Sequence, residues 1–538
     1  PGTPFMEKVS KTVIYYIIDK LNYDERWKNV AVIFSDSSVP GEGEQKIFRY
    51  IRTIRQHPDY NPNTSHVIHG LDADLVMLSL VTHEPNFYIL REDVFDRANH
   101  DLSKPLAVFE VRPLISKLKE TFDTAIHKGH ANIDRVVCDF VFLLYLLGND
   151  FLPNIPSLDI YEDDAGISFL QQRYTKYILK QMVKEGEEPI YLTDGPNVNV
   201  HELLKFMFNH LERDEPERLS QRLHKGAAHA KRPLTPHTPP NFRQPKGNFQ
   251  KQPKIFREEI KYALKHPHKS IQRDPSIVNV VKRLMSRRKT QMLTKGYYRA
   301  SNPILPHHVV NCNLSHRGNG YDGWLYDYYR SRLHLGSEAT IEDIDKLRRA
   351  MAKNFLSGMV WIWKYYSYKL PSWEWYYQYH YAPLLVDFKL LTKEDLEEVK
   401  QFNFGEPFQP FQQLMAVLPL PSARICLPDP YYQCMDHESM LEFYPRHFEL
   451  DLDFHNPKRQ YFKAVPLLPF INEQRLREAI DENLDESKVT KEEKIRNTFG
   501  HPLIFFRDDH ELAKIRPKIQ SLPKKLLKYA KSSKKHFK

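Results

Sequence analysis

The stretch VIFSDSSVPGEGEQKIFRYIR at Val32–Arg52 runs from a short apolar segment through a Pro-Gly turn into a segment of helical periodicity. A strand that ends at acidic residues and leads into a helix is the building unit of an α/β domain. Working outward, Val30–Ser35, His66–Gly70 and Phe87–Leu90 read as strands. Glu44–Gln56 and Asp134–Leu147 read as helices, because their apolar residues recur at helical spacing. From Val13 to about Gly166 the expectation is therefore an α/β fold with a mainly parallel sheet flanked by helices. The sequence beyond it predicts a mixed, helix-rich second region.

Composition narrows the classes. The chain has 538 residues, a formal net charge of +10 and a hydrophobic fraction of 41%. Its longest apolar runs, such as Val136–Leu147, are too short to span a bilayer, so no membrane passage is expected. The opening PGTPFMEKV has neither an initiator Met nor a signal-peptide pattern, and it reads like the middle of a longer chain. Cys138, Cys312, Cys426 and Cys434 are scattered without CxxC spacing, which points away from a disulfide framework or a zinc module. The basic balance favours a polyanionic partner, and a merely soluble basic protein is the bland alternative.

Several segments stand apart. Residues 222–256 are dense in Pro, Lys, Arg, His and Gln and read as a mobile basic insertion. KRLMSRRKTQ at Lys282–Gln291 adds a cationic helix face or continues that arm. Trp361–Pro383, WIWKYYSYKLPSWEWYYQYHYAP, is either an aromatic core or a base-stacking wall. The end, KKLLKYAKSSKKHFK, reads as a basic tail.

Acidic residues carry the chemistry. PGEGEQKI at Pro40–Ile47, GLDADLVML at Gly70–Leu78 and LLGNDFLP at Leu146–Pro153 each place carboxylates where an apolar run ends. In an open α/β sheet such strand ends converge on one crevice. Glu42 and Glu44, and likewise Asp72 and Asp74, are separated by one residue, so in extended chain each pair faces one way. Singly, Glu42 could cap the following helix and Asp72 could close a turn. Asp74 and Asp150, however, are flanked by apolar residues, where an uncompensated charge is costly. Together with Asp150 the two pairs would repel one another unless Mg²⁺ or Mn²⁺ joined them. Two such ions, roughly 3.5–4 Å apart, would hold a phosphodiester, activate a water and stabilise the departing oxygen. No GxxxxGK[ST] loop and no Ser/His/Asp arrangement competes. Lys46 and Arg52, on the helix after the first acidic pair, could reach phosphates, with surface solvation as the ordinary role.

At this point the residues become recognisable. VIFSDSSVPGEGEQKIFRYIR, NTSHVIHGLDADLVMLSLVTHEPNFYILRE and DFVFLLYLLGNDFLPNIPSLDI closely resemble the Xrn family of 5′→3′ exoribonucleases. The likeness continues through YLTDGPNVNV, GYDGWLYDYYRSRL, SWEWYYQYHYAP, FQQLMAVLP, LEFYPRHFELD, VPLLPFINEQRL and KEEKIRNTFG. It implies a PIN-like, FEN-like nuclease core and a second region that closes around single-stranded RNA. It also implies metal ligation by Glu42, Glu44, Asp72, Asp74 and Asp150, with Trp373 as the base-stacking residue and Trp375 as its near neighbour.

On that resemblance the expected divisions are a nuclease region at 1–170, a helical extension at 171–221 and the insertion at 222–256. A supporting region at 257–505 and the tail at 506–538 follow. The implied activity is processive hydrolysis of 5′-monophosphorylated RNA to mononucleotides with two Mg²⁺ or Mn²⁺ ions. A stimulatory protein partner is left open. Family members carry a segment ahead of PGTPFM with further aspartates and a 5′-phosphate pocket, so truncation at the N-terminus is expected. THEPNF and the end after IRNTFGHPLIFF favour the nuclear-type branch over the cytoplasmic one. The rivals are a FEN-like endonuclease acting on flapped DNA and a non-catalytic RNA-binding scaffold.

Overall fold

The structure, a computed structural model, describes residues 1–92, 106–129, 131–158, 160, 166–181, 189–219, 221, 297–299, 325–326, 328–330, 332–333, 335, 339–445, 448–451 and 465–510. The insertion at 222–256, the segment Lys282–Gln291 and the tail beyond residue 510 lie outside the described residues. The chain forms two compact units. One comprises Pro1–Glu215, Thr340–Tyr444 and Phe470–Lys538, the other Pro216–Ala339 and Pro445–Pro469.

In the first unit, helix α1 (Pro4–Tyr23) starts where the Thr3 side chain accepts from the Met6 amide and Pro4 occupies the first turn. Its inner face, Ile14, Ile17 and Leu21, packs with Phe505. Strand β1 (Val32–Phe34) leads through the Pro-Gly turn to α2 (Gly43–Arg55). Strand β2 (Ser65–His69), helix α3 (Asp74–Thr82) and strand β3 (Asn86–Arg91) follow in strand–helix–strand order. β2 pairs parallel with β3, with Ser65 opposite Asn86 and His69 opposite Leu90. Strand β4 (Ala107–Glu110) then adds to β3 antiparallel.

The strands expected at Val30–Ser35, His66–Gly70 and Phe87–Leu90 and the helix expected at Glu44–Gln56 are present to within a residue or two. The mainly parallel sheet is present only in part. Among the described residues the first unit has one parallel pair, and β1 joins the distant β10 (Leu503–Phe505) antiparallel, with Val32 opposite Phe505. The predicted helix Asp134–Leu147 divides into α5 (Ile133–Leu144) and a 3₁₀ turn at Tyr145–Leu147, closed by Gly148 at φ +89°. α4 (Val111–Gly129) precedes α5, and α6 (Gly166–Gln181) packs on both. A short hairpin, β5 (Thr193–Asp194) with β6 (Asn197–Val198), leads to α7 (Val200–Phe206).

The long helix α8 (Ile341–Ser367) begins at a capping box, in which Thr340 and Asp343 satisfy each other's backbone amides. Its Trp361, Trp363, Tyr365 and Tyr366 are buried, and Phe142 of α5 meets Trp363 edge-on at 5.8 Å. Phe48 of α2 stacks on Phe87 of β3 at 5.6 Å. Each such fully buried ring contributes roughly 2–3 kcal/mol of apolar transfer. The aromatic run of Trp361–Pro383 is therefore mainly core.

Short helices α9 (Lys393–Glu398), α10 (Pro410–Val417), α11 (Leu420–Cys426), α12 (Asp429–Met435), α13 (Glu473–Asn483) and α14 (Lys491–Arg496) complete the first unit. Phe411, Met415, Met435, Leu476 and Ile480 form a second core among them. Asn497 clasps it: its side-chain oxygen accepts from the Phe411 amide, and its NH₂ donates to Tyr431 Oη and Gln409 Oε1.

In the second unit, β7 (Tyr297–Arg299) pairs parallel with β8 (Glu449–Asp451), and β9 (Val465–Pro466) pairs antiparallel with β8. No helix among the described residues is long and apolar enough to cross a membrane.

Candidate active site

Three loops present the acids, each held by local hydrogen bonds. In the first, Asp36 accepts from the Ser38 amide at 2.9 Å, and Lys46 reaches back to donate to the Asp36 and Val39 carbonyls. Gly41 turns the chain at φ +99°, a conformation that costs a side-chain-bearing residue heavily. Glu42 sits at the N-cap of α2 without making a capping bond, and Glu44 lies in the first helical turn. Glu42 is thus free of the capping role that the sequence left open.

In the second loop, the Ala73 amide donates to the Asp72 carboxylate at 3.0 Å. Asp74 opens α3, where unpaired helical amides favour negative charge. In the third, the Asn149 side chain accepts from the Phe151 and Leu152 amides, and the Asn149 amide donates to the Leu152 carbonyl. A side chain at Gly148 would meet the Asn154 amide nitrogen at 2.9 Å. This closed turn leaves Asp150 on the outside, exposed.

The structure brings these acids into one electrostatic neighbourhood. Partial desolvation raises the Glu42 carboxyl above its ordinary range, with repulsion from Glu44, Asp74 and Asp150 adding to the shift. Asp72 is likewise raised, first by a hydrogen bond shared with Asp74, then by desolvation and by repulsion from Asp74 and Asp150. Like charges so placed disfavour ionisation.

Two tyrosines of α8 reach into the cluster. Tyr365 donates to Glu42 at 2.8 Å and Tyr366 to Asp74 at 2.7 Å. Both phenols are pushed up, chiefly by burial, and so remain protonated donors. Sequence reasoning singled out neither. The YY pair lay inside an aromatic run, and nothing local indicated which rings would face acids.

The remaining residues divide. Trp373 is half-buried, and its ring edge lies 3.9 Å from where a side chain on Gly41 would begin. Among the described residues no other ring stacks on it. Trp375, by contrast, stacks on Trp361 at 5.3 Å within the core. Lys46 and Arg52 are not solvated surface cations. Lys46 ties down its loop, and Arg52 donates to the Tyr366 carbonyl at 3.0 Å. Burial, with Arg49 adding repulsion, lowers Arg52 to about 10.

Among the described residues no three His, Cys, Asp or Glu side chains stand close enough to form a ready-made metal cage. The donor set nonetheless fits a hard divalent cation, being all carboxylate and mutually repelling. The segments around it also carry buried polar atoms without partners: Ser35 Oγ, Gln45 Oε1, Arg52 Nε, Tyr145 Oη and Asn149 Nδ2. Such atoms are costly unless something further engages them.

Comparison with known proteins adds to this geometry. The family described as "Xrn1 helical domain" matches residues 130–536, and the one described as "XRN 5'-3' exonuclease N-terminus" matches residues 1–93. The chain is 32% identical over 573 residues to 5'-3' exoribonuclease 2 of Yarrowia lipolytica, covering 96% of this chain and 54% of that protein. It is 31% identical over 582 residues to 5'-3' exoribonuclease 2 of Arabidopsis thaliana, covering 96% of this chain and 54% of that one. Against 5'-3' exoribonuclease 1 of Saccharomyces cerevisiae, identity is 32% over 566 residues, with 94% of this chain and 36% of that protein covered. The chain thus spans about half the length of the exoribonuclease 2 relatives.

Proposed function

This chain belongs to the Xrn family, and from that premise we propose that it is the catalytic region of a 5′→3′ exoribonuclease. Its substrate is single-stranded RNA bearing a 5′-monophosphate, hydrolysed processively to mononucleotides with Mg²⁺ or Mn²⁺. The carrying observation is the gathering of Glu42, Glu44, Asp72, Asp74 and Asp150, from three separate segments, against Tyr365 and Tyr366.

Each residue has a task. The five carboxylates would hold the divalent ions, which when bound supply charge neutralisation and water activation for phosphodiester hydrolysis. Tyr365 and Tyr366 orient Glu42 and Asp74, the role outer hydrogen bonds play for ligating groups. Because Glu42 and Asp72 hold protons above the usual carboxylate range, cations must compete with those protons, and cation affinity rises with pH. Trp373 offers its ring beside Gly41 to the nucleotide about to be cleaved. Lys46 and Arg52 support the loop and α8, and any phosphate contact they make is secondary to that. A PIN-like sheet order and a nuclear site of action belong to the same proposal, the latter favoured by THEPNF.

The test offers 5′-monophosphate RNA, 5′-hydroxyl RNA and flapped DNA to the full-length polypeptide with Mg²⁺. The expected outcome is preferential shortening of the 5′-monophosphate RNA. Preference for flapped DNA would overturn the assignment in favour of a FEN-like endonuclease. Trp373→Ala should weaken RNA binding by about 1–3 kcal/mol, the worth of one base–aromatic stack.

A further inference from the structure

Apart from the carboxylate cluster, one cleft of about 360 Å³ opens between α6 and the turns that follow α7. Arg173, Lys176 and Lys180 recur along one face of α6, and His210, Arg213 and Asp214 come from the other wall. Three- and four-residue steps on a helix place side chains on one side, so the three α6 cations converge. Asp214 is the single acid among these groups, and it already pairs with Arg173 at 2.5 Å. Lys176, Lys180 and Arg213 are exposed and have no carboxylate partner among the described residues.

The opposite wall is irregular. Residues Met207–Leu211 form a π-helical turn continuing α7, a distortion that recurs at functional sites. It carries His210, which is only 7% exposed, lines the cleft and makes no hydrogen bond among the described residues. Its ring is held by stacking on Phe206 at 5.6 Å and edge contact with Tyr177 at 5.8 Å. The imidazole thus lines the cleft among several cations, with no protein acceptor or donor on its ring nitrogens among the described residues.

We propose that this cleft is a binding site for a compact oligophosphate anion, separate from the carboxylate centre. The cavity lies in the size range of small-ligand sites, and its charge suits two or more adjacent phosphate groups. An RNA strand fits less well, because strand-binding grooves expose aromatic rings beside their cations. Here Phe206 and Tyr177 are buried behind His210. Burial first, then repulsion from Lys180, Arg173, Arg213 and Lys176, lowers His210 to about 4. A bound anion offsets those cations and moves the imidazole back up.

The test is calorimetric titration of the full-length protein with tripolyphosphate in EDTA, so that the carboxylate cluster holds no metal to attract the probe. Orthophosphate and a 5′-hydroxyl RNA pentamer serve as comparisons. The proposal expects one tripolyphosphate site, weaker binding of orthophosphate, and affinity reduced at least about tenfold in Lys176→Gln/Lys180→Gln/Arg213→Gln. The melting temperature should hold, since all three side chains are exposed and have no carboxylate partner among the described residues. If that variant melts early, Lys180→Gln alone should still lower affinity. An NMR titration should show the His210 pKa rising when tripolyphosphate binds, against the background of Lys176, Lys180, Arg173, Arg213, Asp214 and Tyr177. Absence of binding, binding unchanged in the variants, or a static His210 would overturn the proposal. Tighter binding of the RNA pentamer, lost in the same variants, would overturn it in favour of a strand groove.

Discussion

Asp139 and Asp150 belong to one continuous stretch of sequence and have opposite surroundings. Asp139 on α5 is fully buried and accepts from Tyr174 Oη, the Leu192 and Thr193 amides and Thr193 Oγ1, at 2.6–2.7 Å. Asp150 is exposed, accepts no hydrogen bond among the described residues, and contributes to the repulsion on Glu42 and Asp72. A structural carboxylate is surrounded by donors, because burial without them is prohibitive. The carboxylates of the cluster are surrounded mainly by other acids, whose mutual repulsion the proposed divalent cations would offset. What separates the two is therefore both burial and company: Asp139 is buried among hydrogen-bond donors, while Asp150 is exposed beside other carboxylates.

The comparison breaks if Asp139 is dispensable. Asp139→Ala strands four buried donors and should cost on the order of 3 kcal/mol or more in urea unfolding. A loss under about 1 kcal/mol would mean that those donors find other partners. Asp150→Ala should do the reverse, lowering RNA turnover at least about a hundredfold, since even outer partners of metal ligands matter on that scale. Its melting temperature should stay level or rise, because the change relieves repulsion. Unchanged turnover would favour the RNA-binding scaffold.

Smaller changes sharpen the same contrast. Tyr366→Phe deletes the hydroxyl on Asp74 and should reduce Mg²⁺ affinity roughly tenfold with little effect on stability, as read by titrating activity against Mg²⁺. Glu215 marks the intermediate case. It is fully buried with bonds from the Leu385 amide and Ser157 Oγ, and burial pushes it up from 4.5 to about 8. Its folded form then holds a proton that the unfolded chain releases, so this group's contribution to stability falls as pH rises from 4.5 to about 8. Glu215→Gln should flatten that slope, and an unaltered slope would show that the carboxylate is better compensated than its surroundings suggest.

Much of the region up to about Gly166 was legible beforehand because its signals are local. The strand and helix periods around Glu42, Asp72 and Asp150 lie within short windows, and their structural ends fall close to the expected ones. Lys46 and Arg52 were less legible. A basic residue on an amphipathic helix reads as solvated until a carbonyl is found against it, and Arg52 finds one on Tyr366, 314 positions away. The cationic cleft gave no signal at all, since Lys and Arg at helical spacing look alike whether they face water or a second wall.

The order of strands and helices, the helix caps and the positions of the acids were determined by the sequence itself, because neighbours along the chain set propensity, periodicity and turn chemistry. Only tertiary structure decided that β1 pairs with β10, that Tyr365 meets Glu42 across 323 positions, and that Trp373 lies beside Gly41 while Trp375 joins the core. Those contacts join segments far apart in the chain, and they depend on the fit of distant surfaces that no local window contains.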